Sequence, residues 1–340
     1  MGMKKAILIL IFLLLPVISF AQNKQYKGII QEIKEENILV KIFSGKDSNV
    51  VEINSELQNQ ARDWNFKTGD RVIIEEFENS QEKFYLIIDY QRSGYLMFVF
   101  IIFSVLSLIV GKKYGFYSLL GMALSFFVIF EFILPQITAG KSPLFITILA
   151  SVFLIPITFY LSHGINKKTH IAIVSTIITL IITALFTLIS VNLANLTGFS
   201  SDEAMFLQIA NQNINMRGIL LSGIIIGFLG ILDDVTVSQS GIVMQLKESD
   251  SSLNTMELYK KSMKIGRDHI TSMINTLVLV YTGASMPLLL LFINSPQPID
   301  MVLNREIIAD EILRTLLGSI GLILAVPIST FFASIIADTE

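Results

Sequence analysis

Long apolar runs alternate with short polar connections through most of the chain, near residues 94–111, 115–134, 143–161, 171–193, 217–244, 270–292 and 307–336. A bilayer-spanning helix needs about 20 apolar residues, so the pattern predicts seven transmembrane helices over residues 93–340. Residues 22–92 follow a different period. Short alternating runs recur at Gly28–Ile33, Ile38–Phe43, Val50–Ile53, Arg71–Glu76 and Phe84–Asp89, with turn-like Glu35-Glu36-Asn37 and Thr68-Gly69-Asp70 between them. Period-two patterning with that punctuation predicts a small all-β domain, antiparallel and barrel-like. Ahead of it stand a basic start at Lys4 and Lys5, an apolar run from Ala6 to Ile18, and small residues at Ser19 and Ala21. This is the pattern of a signal peptide over residues 1–21, cleaved after Ala21 or kept as an uncleaved anchor. The expected fold class is therefore a membrane all-α bundle of about seven transmembrane helices, preceded by a signal segment and a small extracytoplasmic β domain.

Charge sharpens this picture. Only 16% of the 340 residues are charged, against about 25% in soluble domains. Of these 53 side chains, 23 lie in residues 24–92 and two in the signal segment, which leaves 28 for residues 93–340. With residues 22–92 outside, the inner connections hold nine Lys and Arg: Lys112, Lys113, Lys167, Lys168, Lys247, Lys260, Lys261, Lys264 and Arg267. The outer ones hold three, Lys141, Arg217 and Arg305. The positive-inside rule thus supports an extracytoplasmic β domain and a cytoplasmic C-terminus. A net charge of −3 argues against nucleic acid as a partner. The absence of cysteine excludes disulfides and thiolate chemistry, and three His without metal-ligand spacing speak against zinc.

Few charges remain inside the apolar segments, and they are the candidates for function. In the fifth segment Asp233 and Asp234 follow Gly223, Gly227 and Gly230 and precede Thr236, Ser238 and Gln239. At 100° per residue, Gly223, Gly227, Gly230, Asp234, Ser238, Gly241 and Gln245 fall within about 80° of one another. A glycine stripe of this kind lets another helix approach closely, and Asp233 points to its side. Adjacent carboxylates in a span bind a cation or share a proton, which makes the pair a candidate ion or substrate site. A helix break or interface cap near the cytoplasmic end is the structural alternative.

The sixth segment places Asp268, Ser272, Asn275 and Thr282 on one face, either lining a path or bonding to neighbouring helices. In the last segment Arg314 follows Asp310 and Glu311 by four and three residues. It forms either an intrahelical ion pair or, facing Asp233 or Asp234, part of a gate. Thr176, Thr179, Thr183, Thr187 and Ser190 share a face of the fourth segment suited to helix packing. Residues 256–264 read as an amphipathic helix at the inner surface.

These motifs carry a resemblance. Arg217-Gly218-Ile219-Leu220 leading into Gly227–Gln239, Gly266-Arg267-Asp268-His269-Ile270, Asn275-Thr276-Leu277-Val278 and Tyr281-Thr282-Gly283-Ala284-Ser285 resemble the YibE/F-like family of membrane proteins. So does the stretch from Glu311 through Arg314 and Gly318 to Ala325-Val326-Pro327. The resemblance covers roughly residues 95–337, with the β domain a looser match. It implies a multipass protein of the bacterial plasma membrane, and it brings no catalytic or binding residues with it.

Three readings follow from the residues themselves. The first is a transporter or permease for a cation or small solute, with a cation held at Asp233 and Asp234 and no other cofactor. The second is a non-catalytic assembly or signalling module that presents the outer β domain to a partner. The third is a metal-dependent intramembrane enzyme acting on lipid phosphates, against which no Asp-x-x-Asp-Gly or Gly-x-Gly-Asp motif is found. The bilayer is the expected partner in all three, and oligomeric state is left open.

Overall fold

The structure, a computed structural model, describes residues 24–43, 49–56, 58, 65–78, 83–293 and 296–338. The predicted signal segment lies outside the described residues. The chain divides after Lys112 into two compact units.

The first unit is built on five strands: β1 (Gln25–Ile33), β2 (Asn37–Ile42), β3 (Val50–Asn54), β4 (Arg71–Glu78) and β5 (Lys83–Tyr90). All pairings are antiparallel, in the order β3-β2-β1-β4-β5. The edge strands β3 and β5 also touch, so the sheet curls into a small, nearly closed barrel. Alternation does what its period dictates. In β2 every second residue (Ile38, Val40, Ile42) is buried, and with Ile30, Ile53, Val72, Ile74 and Ile87 they fill the interior. Gly28 is required where three strands crowd, because a Cβ there would lie 2.7 Å from Val40 Cγ1 and 2.9 Å from Ile74 Cδ1. These five strands follow the alternating runs of the sequence to within three residues at either end.

Helix follows. Residues 93–138 are helical on either side of a kink at Lys112: α1 (Ser93–Val128), a π-helical turn (Ile129–Ile133) and the short α2 (Leu134–Thr138). The backbone leaves helical geometry once in α1, at Lys112 (φ 50°, ψ −126°). Next come α3 (Pro143–His163) and α4 (Lys167–Leu193), the latter capped by the Asn166 side chain, which accepts from Thr169 N–H. The short α5 (Asp202–Ala210) is capped by the Ser201 side chain, which accepts from Ala204 N–H. α6 (Met216–Ser249) runs unbroken through the aspartates. α7 (Thr255–Ala284) opens on a full capping box, with the Asn254 side chain on Glu257 N–H and the Glu257 side chain on Asn254 N–H. It merges the predicted inner-surface helix with the sixth apolar segment. After a 68° bend comes α8 (Met286–Ile293), then α9 (Ile299–Leu303) and α10 (Glu306–Asp338).

The count of spans differs from the expected seven. Among the described residues five helices are long and apolar enough to cross a membrane, or six when the bent pair α7 and α8 is one span. The difference lies at residues 94–134. The stretch that spans 46 residues there is two helices meeting at a kink at Lys112, between the two apolar segments.

In the second unit α6 is the central helix, packed against α3, α4, α7 and α10. Ile224, Ile225, Phe228, Leu232 and Val235 of α6 are buried against Leu180, Leu317 and Leu322. The threonine row of α4 packs as expected: Thr176, Thr179, Thr183 and Thr187 are buried, and the Thr176 and Thr236 hydroxyls are 2.7 Å apart. Four contacts fix the alignment of neighbours on α6. Lys168 lies at Gly241 and Thr176 at Thr236, so α4 runs antiparallel. Gly321 meets Phe228, and Thr330 accepts from Gln239, so α10 runs parallel with an offset near 92 residues.

Candidate functional site

The alignment gives Asp233 its depth. It is level with residue 178 of α4, eleven residues from Lys167 and fifteen from Leu193, or about 16 Å and 22 Å along the helix. Asp233 is therefore within the apolar stretch, nearer its lysine-bearing end.

A cavity of about 310 Å³ opens beside it, between the second half of α1, α3 and α6. Its polar lining is the Asp233 carboxylate with the hydroxyls of Ser118, Ser125, Thr158 and Ser162; Gly121 and Gly230 open the space. Ser125 donates to the Gly121 carbonyl at 3.0 Å and Thr158 to the Leu154 carbonyl at 2.9 Å. Each hydroxyl hydrogen is thus used within its own helix, and the oxygen remains free to accept or to coordinate. Asp233 Oδ1 has no hydrogen-bond partner, and His163 Nε2 lies 3.7 Å from it. The two side chains keep 34% and 35% of their area exposed.

Local helix irregularities border this space. Pro156 inside α3 removes one backbone donor in the turn that bears Leu154, Ile155 and Thr158. The π-helical turn begins at Ile129, itself part of the lining. Gly164, at φ 78°, ends α3 directly after His163 and so holds the imidazole at the helix terminus.

A model of the YibE/F-like protein family matches residues 99–339, more than two thirds of the chain. The chain belongs to the YibE/F-like family. Comparison with curated proteins and with solved structures gives no match. The apolar helices make this YibE/F-like chain a membrane protein.

The YibE/F-like bundle separates the residues grouped by sequence. Asp233 lines the cavity, whereas Asp234 is exposed about 100° further round α6. The stripe of Gly223, Gly227 and Gly230 is exposed with it. A Cβ at Gly223 or Gly230 would meet nothing within 4 Å, and one at Gly227 only the Tyr281 hydroxyl at 3.4 Å. The close helix approach the stripe permits is not made there by the described residues.

Thr236 is buried against Thr176. Gln239 is buried where α6, α7 and α10 meet, donating to the Ser262 carbonyl at 3.1 Å and to Thr330 Oγ1 at 2.7 Å. Both therefore hold helices together. Ser238, Asp268 and Asn275 are exposed.

Arg314 is not a gate opposite the aspartates. The 92-residue offset puts it level with Ser222, eleven residues or about 16 Å along α6 from Asp233. Its ion-pair partner is Glu311 on its own helix, at 3.8 Å. Asp310, expected beside Arg314, is buried and accepts from the Ser200 hydroxyl. Glu306 one turn earlier accepts from the backbone N–H groups of Thr197, at 2.5 Å, and Gly198, at 2.9 Å. These two carboxylates tie the connection after α4 to the start of α10.

Sequence reasoning missed His163, Ser118, Ser125, Thr158 and Ser162. A signal existed: Ser118, Gly121 and Ser125 recur at helical spacing on one face of α1, and Thr158 and Ser162 are four residues apart on α3.

Proposed function

We propose that this YibE/F-like protein moves a monovalent alkali cation or a proton across the bacterial plasma membrane through the cavity at Asp233. The observation that carries the reading is the Asp233 carboxylate, which lines a hydroxyl-bearing space inside an apolar bundle and whose buried Oδ1 has no hydrogen-bond partner. An acidic group at such depth is costly unless it has a ligand to meet. A lining of one carboxylate and four hydroxyls suits a singly charged ligand. A divalent ion favours more charged or carbonyl oxygens, and no group of three or more His, Asp or Glu able to hold a metal occurs among the described residues. His163 Nε2, 3.7 Å from Asp233 Oδ1, borders the same carboxylate. In this reading residues 94–111 and 115–134 are separate spans, α7 and α8 are one, and the seven together leave the β domain extracytoplasmic and the C-terminus cytoplasmic.

The test uses the absence of cysteine. Thr158→Cys introduces a single thiol at the cavity wall. In proteoliposomes with imposed Na⁺, K⁺ or proton gradients, the parent protein conducts at least one of these ions. Thiosulfonate labelling of the variant blocks that flux. Flux that persists in fully labelled protein contradicts the reading, as does a parent protein that moves none of the three.

A further inference from the structure

We propose that the β domain binds the phosphodiester headgroup of an anionic phospholipid in a groove on the outside of its barrel. The groove has a volume of about 370 Å³ and is lined by Lys27 and Ile29 of β1, Phe43 after β2, Arg71 of β4 and Gln91 after β5. Strand alternation brings these side chains to one side. Gly28, Ile30, Ile42 and Val72 are buried in the barrel, which turns Lys27, Ile29, Phe43 and Arg71 outward. The ladders then set them on neighbouring rungs. Ile29 is opposite Arg71, Phe43 N–H donates to the Lys27 carbonyl at 2.7 Å, and Gln91 N–H donates to the Arg71 carbonyl at 2.8 Å.

This lining selects an anion that has an apolar neighbour. Among the described residues Lys27 and Arg71 have no ion-pair or side-chain hydrogen-bond partner, and no carboxylate lines the groove. Lys41, opposite Ile29 on β2, adds a third cation 6.0 Å from the Phe43 ring. The carboxylates beside these residues are engaged elsewhere: Asp70 accepts from Lys67 N–H at 2.8 Å, Asp89 pairs with Arg92, and Glu32 pairs with Lys34 at 3.5 Å. Glu35 and Glu36 lie about 20 Å of extended chain beyond Ile29. A phosphodiester matches what is left. The Arg71 fork meets two phosphate oxygens, Lys27 adds a point charge, and Ile29 with Phe43 walls the start of the acyl region.

The covalent path says why that anion is a lipid. Gln91 lines the groove, α1 begins at Ser93, and its apolar run begins at Tyr95. Tyr95 follows Gln91 by four residues, about 6 Å as helix and about 14 Å when fully extended. The headgroup layer is about 5–7 Å deep on either side of a hydrocarbon core of about 30 Å. The groove is therefore tethered at the level of the lipid phosphates. Tyr90, with the Arg92 guanidinium 5.7 Å from its ring, and Tyr95 give the link the aromatic and basic character of that layer. Barrel, groove and tether all belong to the first unit. The binding is independent of what passes the Asp233 cavity and of the side of the bilayer on which the domain stands.

Lysine acetylation of the full-length protein tests it without altering the chain. The protein is placed in nanodiscs of phosphatidylcholine, or of phosphatidylcholine and phosphatidylglycerol in equal parts; neither lipid has a primary amine. Acetylation by an N-hydroxysuccinimide ester is followed residue by residue by peptide mass spectrometry. The expected result is an acetylation rate at Lys27 at least fivefold lower with phosphatidylglycerol, while Lys34 of the same domain changes less than twofold. Arg71→Gln should return the Lys27 rate in phosphatidylglycerol to within twofold of its rate in phosphatidylcholine. An unchanged Lys27 rate in the parent overturns the proposal. So does equal slowing at Lys27 and Lys34, which marks a diffuse surface potential, or full protection retained in Arg71→Gln. Millimolar inorganic phosphate that protects Lys27 equally in phosphatidylcholine alone overturns the lipid as the source of the anion.

Discussion

Gly266→Ala puts a single methyl group into a tight contact between three helices of the bundle. An added Cβ would lie 2.6 Å from Val326 Cγ1 of α10 and 3.0 Å from both Nε2 and Oε1 of Gln239 on α6. Carbon atoms rest at about 3.5–4.0 Å, so α7 would have to move by about 1 Å. Retreat from Val326 alone leaves the clash with Gln239, whose amide is held by Ser262 and Thr330. Overpacking of this kind costs about 1–3 kcal/mol, and loss of a Gln239 hydrogen bond adds roughly 0.5–1.5 kcal/mol. The total, about 2–4 kcal/mol, corresponds to a fall in unfolding midpoint of roughly 4–16 °C on the scale of a 150–250-residue domain. The assay is thermal unfolding in detergent, followed by helical circular dichroism. Gly223→Ala is the control: its Cβ meets nothing within 4 Å, and alanine is favoured over glycine in a helix by about 0.5–1 kcal/mol. The control should melt at or above the parent temperature. A Gly266→Ala protein that melts with the control would refute the three-helix contact.

Smaller effects are expected elsewhere. Removing the Thr176 and Thr236 hydroxyls singly and together as valine should give a coupling near 0.6 kcal/mol, the typical value for an interhelical hydrogen bond in a membrane bundle; zero coupling in the thermal-unfolding cycle would mean the 2.7 Å contact contributes nothing. In the β domain, the Lys83 ammonium at 2.8 Å and the Tyr26 hydroxyl at 2.7 Å hold the Glu76 pKa below the ordinary 4.5. A lowered acid pKa contributes stability above the ordinary value that is lost as pH falls through the folded one. Heating the full chain between pH 6 and pH 3, with sheet loss read by infrared absorbance, should therefore show a smaller acid-induced drop in Glu76→Gln than in the parent. Identical pH dependence in the two would remove Glu76 from the account.

What was legible in the sequence follows from how local each signal is. The strands β1–β5 were readable because a half-buried sheet imposes a period of two on its own residues. The apolar helices were readable because the lipid imposes length and composition. Asp233 was readable as a charge where charges are rare. What failed depended on neighbours. Whether Asp234 and the glycines meet another helix is decided by where α3 and α7 lie, and α6 alone shows nothing of it. The Arg314–Glu311 pair was readable from spacing along one helix, whereas the buried bond of Asp310 comes from Ser200, 110 residues away. His163 carried no local mark at all, because its role arises from the end of α3 stopping beside α6.

The central claim is that Asp233, and not its neighbour, meets the transported species. Reconstituted Asp233→Asn and Asp234→Asn proteins, assayed in parallel for the flux that the parent supports, test it most directly. The account predicts that Asp233→Asn lowers the rate at least tenfold while Asp234→Asn keeps it within twofold of the parent. Equal retention of flux in both variants, or loss in Asp234→Asn alone, would contradict it.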